Sequence, residues 1–357
     1  MTESVLDQAG KVREGEELDP AIITQYVKNI VPDVQGTAVI TQFPGGASNL
    51  TYSVKFDNKD YILRRPPFGT KAKSAHDMGR EYKVMSKLKP VYPFVPEMVS
   101  FCDDESVLGC EFYLMERLVG VIPRDVMPDG LTLSEAQAHQ LCVNVIDRFA
   151  ELHNVDYEAA GLTDLGKGEG YVVRQIEGWS KRFGAAKTDD VPDFETIMAW
   201  LHDNMPAQIK VCIIHNDYRM DNVVLNAEDP TEVIGVLDWE MATLGDPLMD
   251  LGNSLAYWVE AGDPAEHQVL RRQPTHLPGM MTRDQVVAHY CAKTGLNAED
   301  FLFYRVYGIF RLAVILQQIY FRFYNGQTKD KRFASFGKMV NVLESQCHDL
   351  LSKAGVN

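Results

Sequence analysis

The chain has 357 residues, 45% of them apolar and 24% charged, which implies a sizeable core and about two domains or lobes. A formal net charge of −15 argues against nonspecific binding to nucleic acid or to an anionic membrane surface. Cys102, Cys110, Cys142, Cys212, Cys291 and Cys347 show no metal-ligand spacing and read as small core hydrophobes suited to a reducing cytosol.

The N-terminus is acidic and lacks the apolar stretch of a signal peptide, so a cytoplasmic location is expected. No uninterrupted apolar run approaches the roughly 20 residues that span a bilayer; Leu312 to Phe321 is broken by Gln317 and Gln318. Residues 1–18 are expected to be disordered. Asp19 then reads as an N-cap with Pro20 at the first helical position, opening a short amphipathic helix through Ile22, Tyr26, Val27 and Ile30.

From Thr37 to Arg65 the pattern is that of an antiparallel meander: Val39 to Phe43, then Tyr52, Val54 and Phe56 on one face, then Tyr61 to Arg65. Between the first two strands lies Pro44-Gly45-Gly46-Ala47-Ser48-Asn49. It is either a plain hairpin loop or, with small residues that let backbone N–H groups approach phosphate oxygens, a phosphate cradle. Period-2 alternation puts Ile62 and Arg64 on one face of the third strand, Leu63 and Arg65 on the other. A helix over Ala75 to Lys89 follows, with Met78, Tyr82, Met85 and Leu88 on its apolar stripe and Glu81 within it. Strands around Val99 to Cys102 and Glu111 to Leu118 are joined by an acidic turn.

After Gly120 the chain turns mainly helical. Thr132-x-x-Glu135 reads as a capping box, before a long helix lined by Leu141, Val145, Phe149 and Leu152 and ending at a structural His153. Further on, the apolar run Val211 to Ile214 reads as a buried strand that delivers His215, Asn216 and Asp217 into a polar loop, with Asn222 five residues after Asp217. A β-rich pair, Val223 to Asn226 and Val233 to Leu237, ends at Asp238-Trp239-Glu240. Phosphoryl transfer needs such a set: one carboxylate to accept the hydroxyl proton, and an amide plus a second carboxylate to hold Mg²⁺. Asp246-Pro247 reads as a helix cap first, with Asp250 one turn on. A helix from Ala298 to Tyr324 carries Arg305, Arg311 and Arg322, which mark a solvated face about as readily as a binding patch. A last helix presents Phe336, Val340, Leu343, Cys347 and Leu350.

His-Asn-Asp-Tyr-Arg-Met-Asp-Asn (215–222), Asp-Trp-Glu (238–240) and Leu-Gly-Asp-Pro-Leu-Met-Asp-Leu-Gly (244–252) together resemble the aminoglycoside phosphotransferase family, the small-molecule branch of the protein-kinase-like fold. The resemblance covers about Val39 to Tyr324. It implies an α+β, bilobal fold: an N-terminal lobe of mixed β-sheet and helix at 19–115, and a mainly helical C-terminal catalytic and substrate lobe at 116–357. It implies ATP-dependent phosphorylation of a hydroxyl, with Asp217 as base and with Asn222 and Asp238 on Mg²⁺. Arg64 stands where protein kinases carry lysine and is favoured over Arg65 as the phosphate ligand, with Glu81 as its partner. Gly45, Gly46 and Ser48 would approach phosphate, and backbone groups near Met115, Glu116 and Leu118 would face adenine. His215, Asp246 and Asp250 would give structural support. Asn216 occupies a place where family members more often carry glycine, which leaves its role open.

Leu-Arg-Arg-Pro-Pro (63–67), Ser-Ala-His (74–76), Arg-Glu-Tyr (80–82) and Arg174-Gln175 with Trp179 are similar to a narrower subfamily, the kinase-like domains fused to acyl-CoA dehydrogenases. That resemblance implies a 4-hydroxyacyl-CoA acceptor, with Arg174, Trp179, Arg305 and Arg311 as candidate substrate contacts. Lys181 and Arg182 would add to the cationic partners. The alternatives are an aminoglycoside or choline-like amino-alcohol kinase, and a non-catalytic nucleotide-binding module. The acceptor's identity, the choice between ATP and GTP, and the oligomeric state are not legible.

Overall fold

A computed structural model describes residues 6–44, 49–68, 77–297 and 301–356 of the chain. The proposed phosphate cradle at Gly45, Gly46 and Ser48, the Ser-Ala-His motif and the expected starts of two helices lie outside them.

The N-terminal lobe opens with α1 (Pro20–Ile30), which starts at the expected cap: the Asp19 carboxylate accepts from the Ala21 N–H. Strands β1 (Val39–Gln42), β2 (Leu50–Lys55) and β3 (Asp60–Arg65) form the meander. Helix α2 (Met78–Leu88) follows, capped by Asp77, and then come β4 (Met98–Cys102), α3 (Glu105–Leu108) and β5 (Phe112–Glu116). The sheet order is β1-β2-β3-β5-β4 with every pairing antiparallel, so the mixture in this lobe is one of sheet with helix. The acidic turn between β4 and β5 is the single helical turn α3, capped by Asp104 and ended by Gly109 at φ 75°.

Alternation along β2 and β3 decides which way each side chain faces. Tyr52, Val54 and Leu63 enter a small core with Ile23, Val27 and Phe112 from α1 and β5. Ile62, on the other face, joins Val84, Met85 and Leu88 of α2 in the large core that continues into the C-terminal lobe. The two lobes therefore share packing beneath the sheet.

From residue 6 onward the N-terminal segment is packed against the sheet, contrary to the expected disorder through 18. Gly10 bridges Gln42, Leu18 is buried, and the Gln42 amide donates to Glu16 at 2.6 Å. Nothing local predicts this, because the partners belong to distant strands.

The C-terminal lobe contains α4 (Glu135–His153), α5 (Tyr171–Ala186) and α6 (Glu195–Asp203), then β6 (Cys212–Ile214), β7 (Val223–Leu225), β8 (Val233–Val236) and β9 (Thr243–Gly245). It finishes with α7 (Pro247–Leu255), α8 (Arg283–Thr294), α9 (Leu302–Tyr324) and α10 (Phe336–Lys353). The capping box of α4 is formed by Ser134 and Gln137, not by Thr132 and Glu135. Both pairs have the right spacing, but only Ser134 directly precedes the first helical turn. By length and composition α9 could cross a bilayer, yet 67% of that stretch is buried within the protein, where it is the central core helix. It crosses α7 at two glycines: a Cβ on Gly308 would lie 2.0 Å from the Gly252 carbonyl oxygen. That close approach holds α7, and the loop it braces, against the core.

Candidate active site

Strand β6 ends at Ile214, and the next residues turn back on the head of α7. Asp250 there accepts from the His215 N–H at 2.7 Å and from the Asn216 N–H at 2.8 Å. Asp246 caps α7 through the Leu248 and Met249 N–H groups and also accepts from Ile209 at 2.9 Å. Burial pushes its carboxyl pKa up, against these three hydrogen bonds. His153 is buried neutral: burial pulls its pKa down, and it bridges Tyr290 at 2.6 Å and Asp250 at 3.2 Å.

Asn216 has φ 65°, in the left-handed region that glycine and asparagine tolerate best. That accounts for the residue type. Its side chain is also a hub: the oxygen accepts from the Tyr171 hydroxyl at 2.9 Å, and the amide donates to the Met241 carbonyl at 3.1 Å. His215 Nδ1 accepts from the Asp217 N–H at 3.2 Å, so Nε2 carries the proton donated to the Leu237 carbonyl at 3.0 Å. The loop that carries Asp217 is thereby fastened to the end of β8.

The end of β8 brings the second carboxylate. Asp238 sits at φ 67°, in the same left-handed region, which aspartate like asparagine adopts more readily than most residues. Asn222 donates its amide to the Asp217 carbonyl at 2.9 Å and carboxylate at 3.1 Å. Because the amide nitrogen is committed to Asp217, the oxygen is the atom with which Asn222 would bind a cation.

Arg64 reaches this group from β3. It donates to Asp238 at 2.7 Å and Glu240 at 3.2 Å, and pairs with Glu81 of α2 at 3.0 Å. Burial alone would raise the Asp238 carboxyl pKa, but Arg64 holds it below the usual range. Burial pushes the Glu81 carboxyl up, with Arg64 opposing. Arg65 faces away, donating to the Pro66 and Leu108 carbonyls and lying 3.7 Å over the Phe68 ring. Arg80 ties α2 to the same region through the Leu165 and Ala242 carbonyls at 2.8 and 2.7 Å.

At the hinge, Phe43, Ile62, Met115, Leu118 and Leu237 line a small apolar cleft together with Glu116. The N–H groups of Glu116 and Arg117 already donate to the Glu97 and Asp60 carbonyls, so a hinge donor to a purine would come from Leu118. Asp7 also borders this cleft; Arg124 donates to its carboxylate at 2.8 Å and Arg117 to its carbonyl at 2.7 Å.

Of the candidate substrate residues, Arg174, Trp179 and Arg311 line one cavity of about 410 Å³ that reaches Asn216 and Met241. Arg305 does not. It pairs with Asp284 at 3.2 Å and borders a different cavity with Cys291 and Phe301, because it points from another side of α9. Glu240, Asn49, Lys167 and Arg219 were not singled out from the sequence. Asn49 donates to Glu240 at 2.9 Å, which links the loop before β2 to the Asp238 segment. Arg219 lies 3.3 Å from Asp217 and 3.2 Å from Asp221. Only Glu240 had a signal, the acid closing Asp-Trp-Glu.

The family model for the phosphotransferase enzyme family (APH) matches residues 39–283. Mouse acyl-CoA dehydrogenase family member 10 is 33% identical over 347 residues, 96% of this chain but 32% of that protein. Human acyl-CoA dehydrogenase family member 11 is 32% identical over 327 residues, 90% of this chain and 41% of that protein. The chain thus spans a third to two fifths of the length of these curated relatives. Among solved structures, a Ralstonia eutropha protein provisionally named an aminoglycoside phosphotransferase superposes with TM-score 0.80 at 28% identity, covering 94% of this chain and 99% of that one. Choline kinase from Cryptosporidium parvum superposes with TM-score 0.64 at 11% identity, covering 95% of this chain and 98% of its own, a likeness of fold. With a bilobal kinase-like architecture and a family match over most of its length, the chain belongs to the phosphotransferase enzyme family (APH).

Proposed function

We propose that the protein is a Mg²⁺- and ATP-dependent kinase that phosphorylates a hydroxyl of a small molecule, with a 4-hydroxyacyl-CoA as acceptor. The observation that carries the reading is the meeting of Arg64, Glu81, Asp238 and Glu240 within 2.7–3.2 Å, beside the loop that holds Asp217 and Asn222. Glu81 and Asp238 share the Arg64 guanidinium, and a divalent cation on the open side of Asp238 would add to the charge that holds its carboxylate ionised. The oxygens of Asp238 and Asn222 suit Mg²⁺, which takes few protein ligands and several from phosphate and water. Among the described residues no cluster of three or more His, Cys, Asp or Glu forms a metal cage of its own.

In this reading Asp217 orients the acceptor hydroxyl and takes its proton as the phosphoryl group is transferred. Arg64 binds nucleotide phosphate, and Glu81 keeps it on the cleft side of β3. Bound Mg²⁺ would offset the triphosphate charge. The hinge from Met115 to Leu118 would hold the base. Asp250 and His215 keep Asp217 in place through the loop backbone.

The thioester acceptor is supported by relatives named as acyl-CoA dehydrogenase family members. An aminoglycoside or amino-alcohol acceptor is cationic, and the cavity beside Asn216 has no carboxylate among its lining residues. Free thiols at all six cysteines suit the proposed reducing, cytoplasmic setting. Incubation with Mg-ATP and either 4-hydroxyvaleryl-CoA or kanamycin, followed by mass analysis, tests the acceptor. Phosphorylated thioester with unchanged kanamycin is expected; the reverse overturns the acceptor assignment.

A further inference from the structure

The cavity beside Asn216 is ringed by cations, of which the buried Arg311 feels the charge of Asp217 without forming an ion pair with it. Among the described residues Lys167, Arg174, Arg182 and Arg311 all line it, and none forms an ion pair. Elsewhere Arg65 and Arg80 are likewise held by carbonyls, but each stands apart from other cations, whereas Arg64, Arg117, Arg219 and Arg283 each meet a carboxylate within 3.3 Å. Lys167 and Arg182 are exposed and water can solvate them, so the informative members are the half-buried Arg174 and the buried Arg311.

Arg311 is the deepest of them, at 3% exposure. It donates to the Asn216 carbonyl at 2.9 Å and its guanidinium lies 5.3 Å from the Trp179 ring centre. Arg182 lies 4.6 Å from the same ring. Arg174 is held by the carbonyls of Gly168 and Glu169. A guanidinium has five N–H donors, and burying its charge without a counter-anion is costly. Carbonyls and an aromatic face steady these groups without neutralising them.

We propose that this cavity is an anion subsite for the acceptor, with Arg311 binding a carboxylate or phosphate group and Arg174, Arg182 and Lys167 forming its mouth. The proposal rests on the kinase reading and narrows it to acceptors carrying negative charge. Arg311 also holds the carbonyl of Asn216, the residue before Asp217, so an anchored acceptor is seated next to the base loop. Cationic acceptors are disfavoured by the same charges.

Calorimetry on the full chain saturated with Mg-AMPPNP tests this, with adenosine 3′,5′-bisphosphate, 4-hydroxyvalerate and kanamycin as separate titrants. At least one anion should bind with one-to-one stoichiometry and weaken with salt. Preference for the bisphosphate assigns the subsite to a nucleotide phosphate, and preference for the hydroxy acid to a carboxylate. Arg311→Lys and Arg311→Met should weaken that anion about tenfold or more, the loss of a charge-assisted contact, with Mg-AMPPNP affinity unchanged. Arg182→Gln and Arg174→Gln, which spare the buried position, should weaken it severalfold. The proposal is overturned if neither anion binds, if the variants bind it as the parent does, or if kanamycin alone binds. The same titrations without nucleotide separate the two readings: a chain that fails to bind Mg-AMPPNP yet binds the anion loses the kinase reading and keeps the subsite.

Discussion

Arg64 donates to Asp238 at 2.7 Å across 174 residues of sequence, and this contact joins β3 of the N-terminal lobe to the end of β8 in the C-terminal lobe. The same guanidinium pairs with Glu81 at 3.0 Å, so β3, α2 and the Asp238 carboxylate share one cation. The phosphate-side and metal-side groups proposed here are therefore already in register.

Replacing the carboxylate tests the metal side. Asp238→Ala should abolish the Mg²⁺-dependent part of nucleotide binding, because the triphosphate loses its bridging cation. Calorimetry with ATP in Mg²⁺ and in EDTA measures the difference. Equal Mg²⁺ dependence in parent and variant would reduce Asp238 to a strand-end acid.

The two neighbouring arginines of β3 should separate cleanly. Arg64→Ala should raise the KM for ATP about tenfold or more, the loss of a charged hydrogen bond, and Arg64→Lys should keep part of the activity. Arg65→Ala should act on stability, since Arg65 is bonded to the Leu108 carbonyl and packed on Phe68. Steady-state kinetics beside thermal melts distinguish them; a kinetic defect in Arg65→Ala with none in Arg64→Ala would reverse the assignment.

Much of this geometry was legible where a short stretch of chain decides it. The alternation of β3 settles which arginine faces the cleft, and the spacing of Asp217, Asn222 and Asp238 follows from one loop and one hairpin. What was not legible depends on distant partners or on backbone angles. Asn216 is explained by its φ and by its side-chain bonds to Tyr171, Met241 and Asn253, neither written in its neighbours. Arg305 and Arg311 share a helix, and only their distant partners, Asp284 of α8 for one and Trp179 of α5 for the other, assign them to different cavities. The N-terminal segment at 6–18 looks unstructured by composition and is ordered by Gln42, Tyr52 and Arg117.

His153 gives a pH signature. Its folded pKa lies below the ordinary value of 6.5, so between those two values the unfolded chain binds the extra proton. Stability should therefore fall as pH drops below about 6.5, by up to about 1.4 kcal/mol per pH unit from this one group. Denaturant melts at several pH values should show a flatter acid limb for His153→Gln than for the parent. Parallel limbs would remove His153 as the cause.

The crossing of α7 and α9 allows no added carbon. Gly308→Ala would put its methyl 2.0 Å from the Gly252 carbonyl oxygen, so the helices must separate. Overpacking of this kind costs about 1–3 kcal/mol, more than the helix gains from alanine. A melting temperature equal to or above that of the parent would mean that the crossing yields without cost.

The base assignment is the centre of the account, and one pair of measurements on Asp217→Ala tests it. Turnover of 4-hydroxyvaleryl-CoA with Mg-ATP should fall by a factor of about 100 or more, because proton acceptance and hydroxyl positioning act in the transition state. Mg-ATP affinity, read by calorimetry on the same preparation, should be unchanged, since Arg64, Asn222 and Asp238 remain. A variant that binds Mg-ATP and turns over at nearly the parent rate would contradict the mechanism.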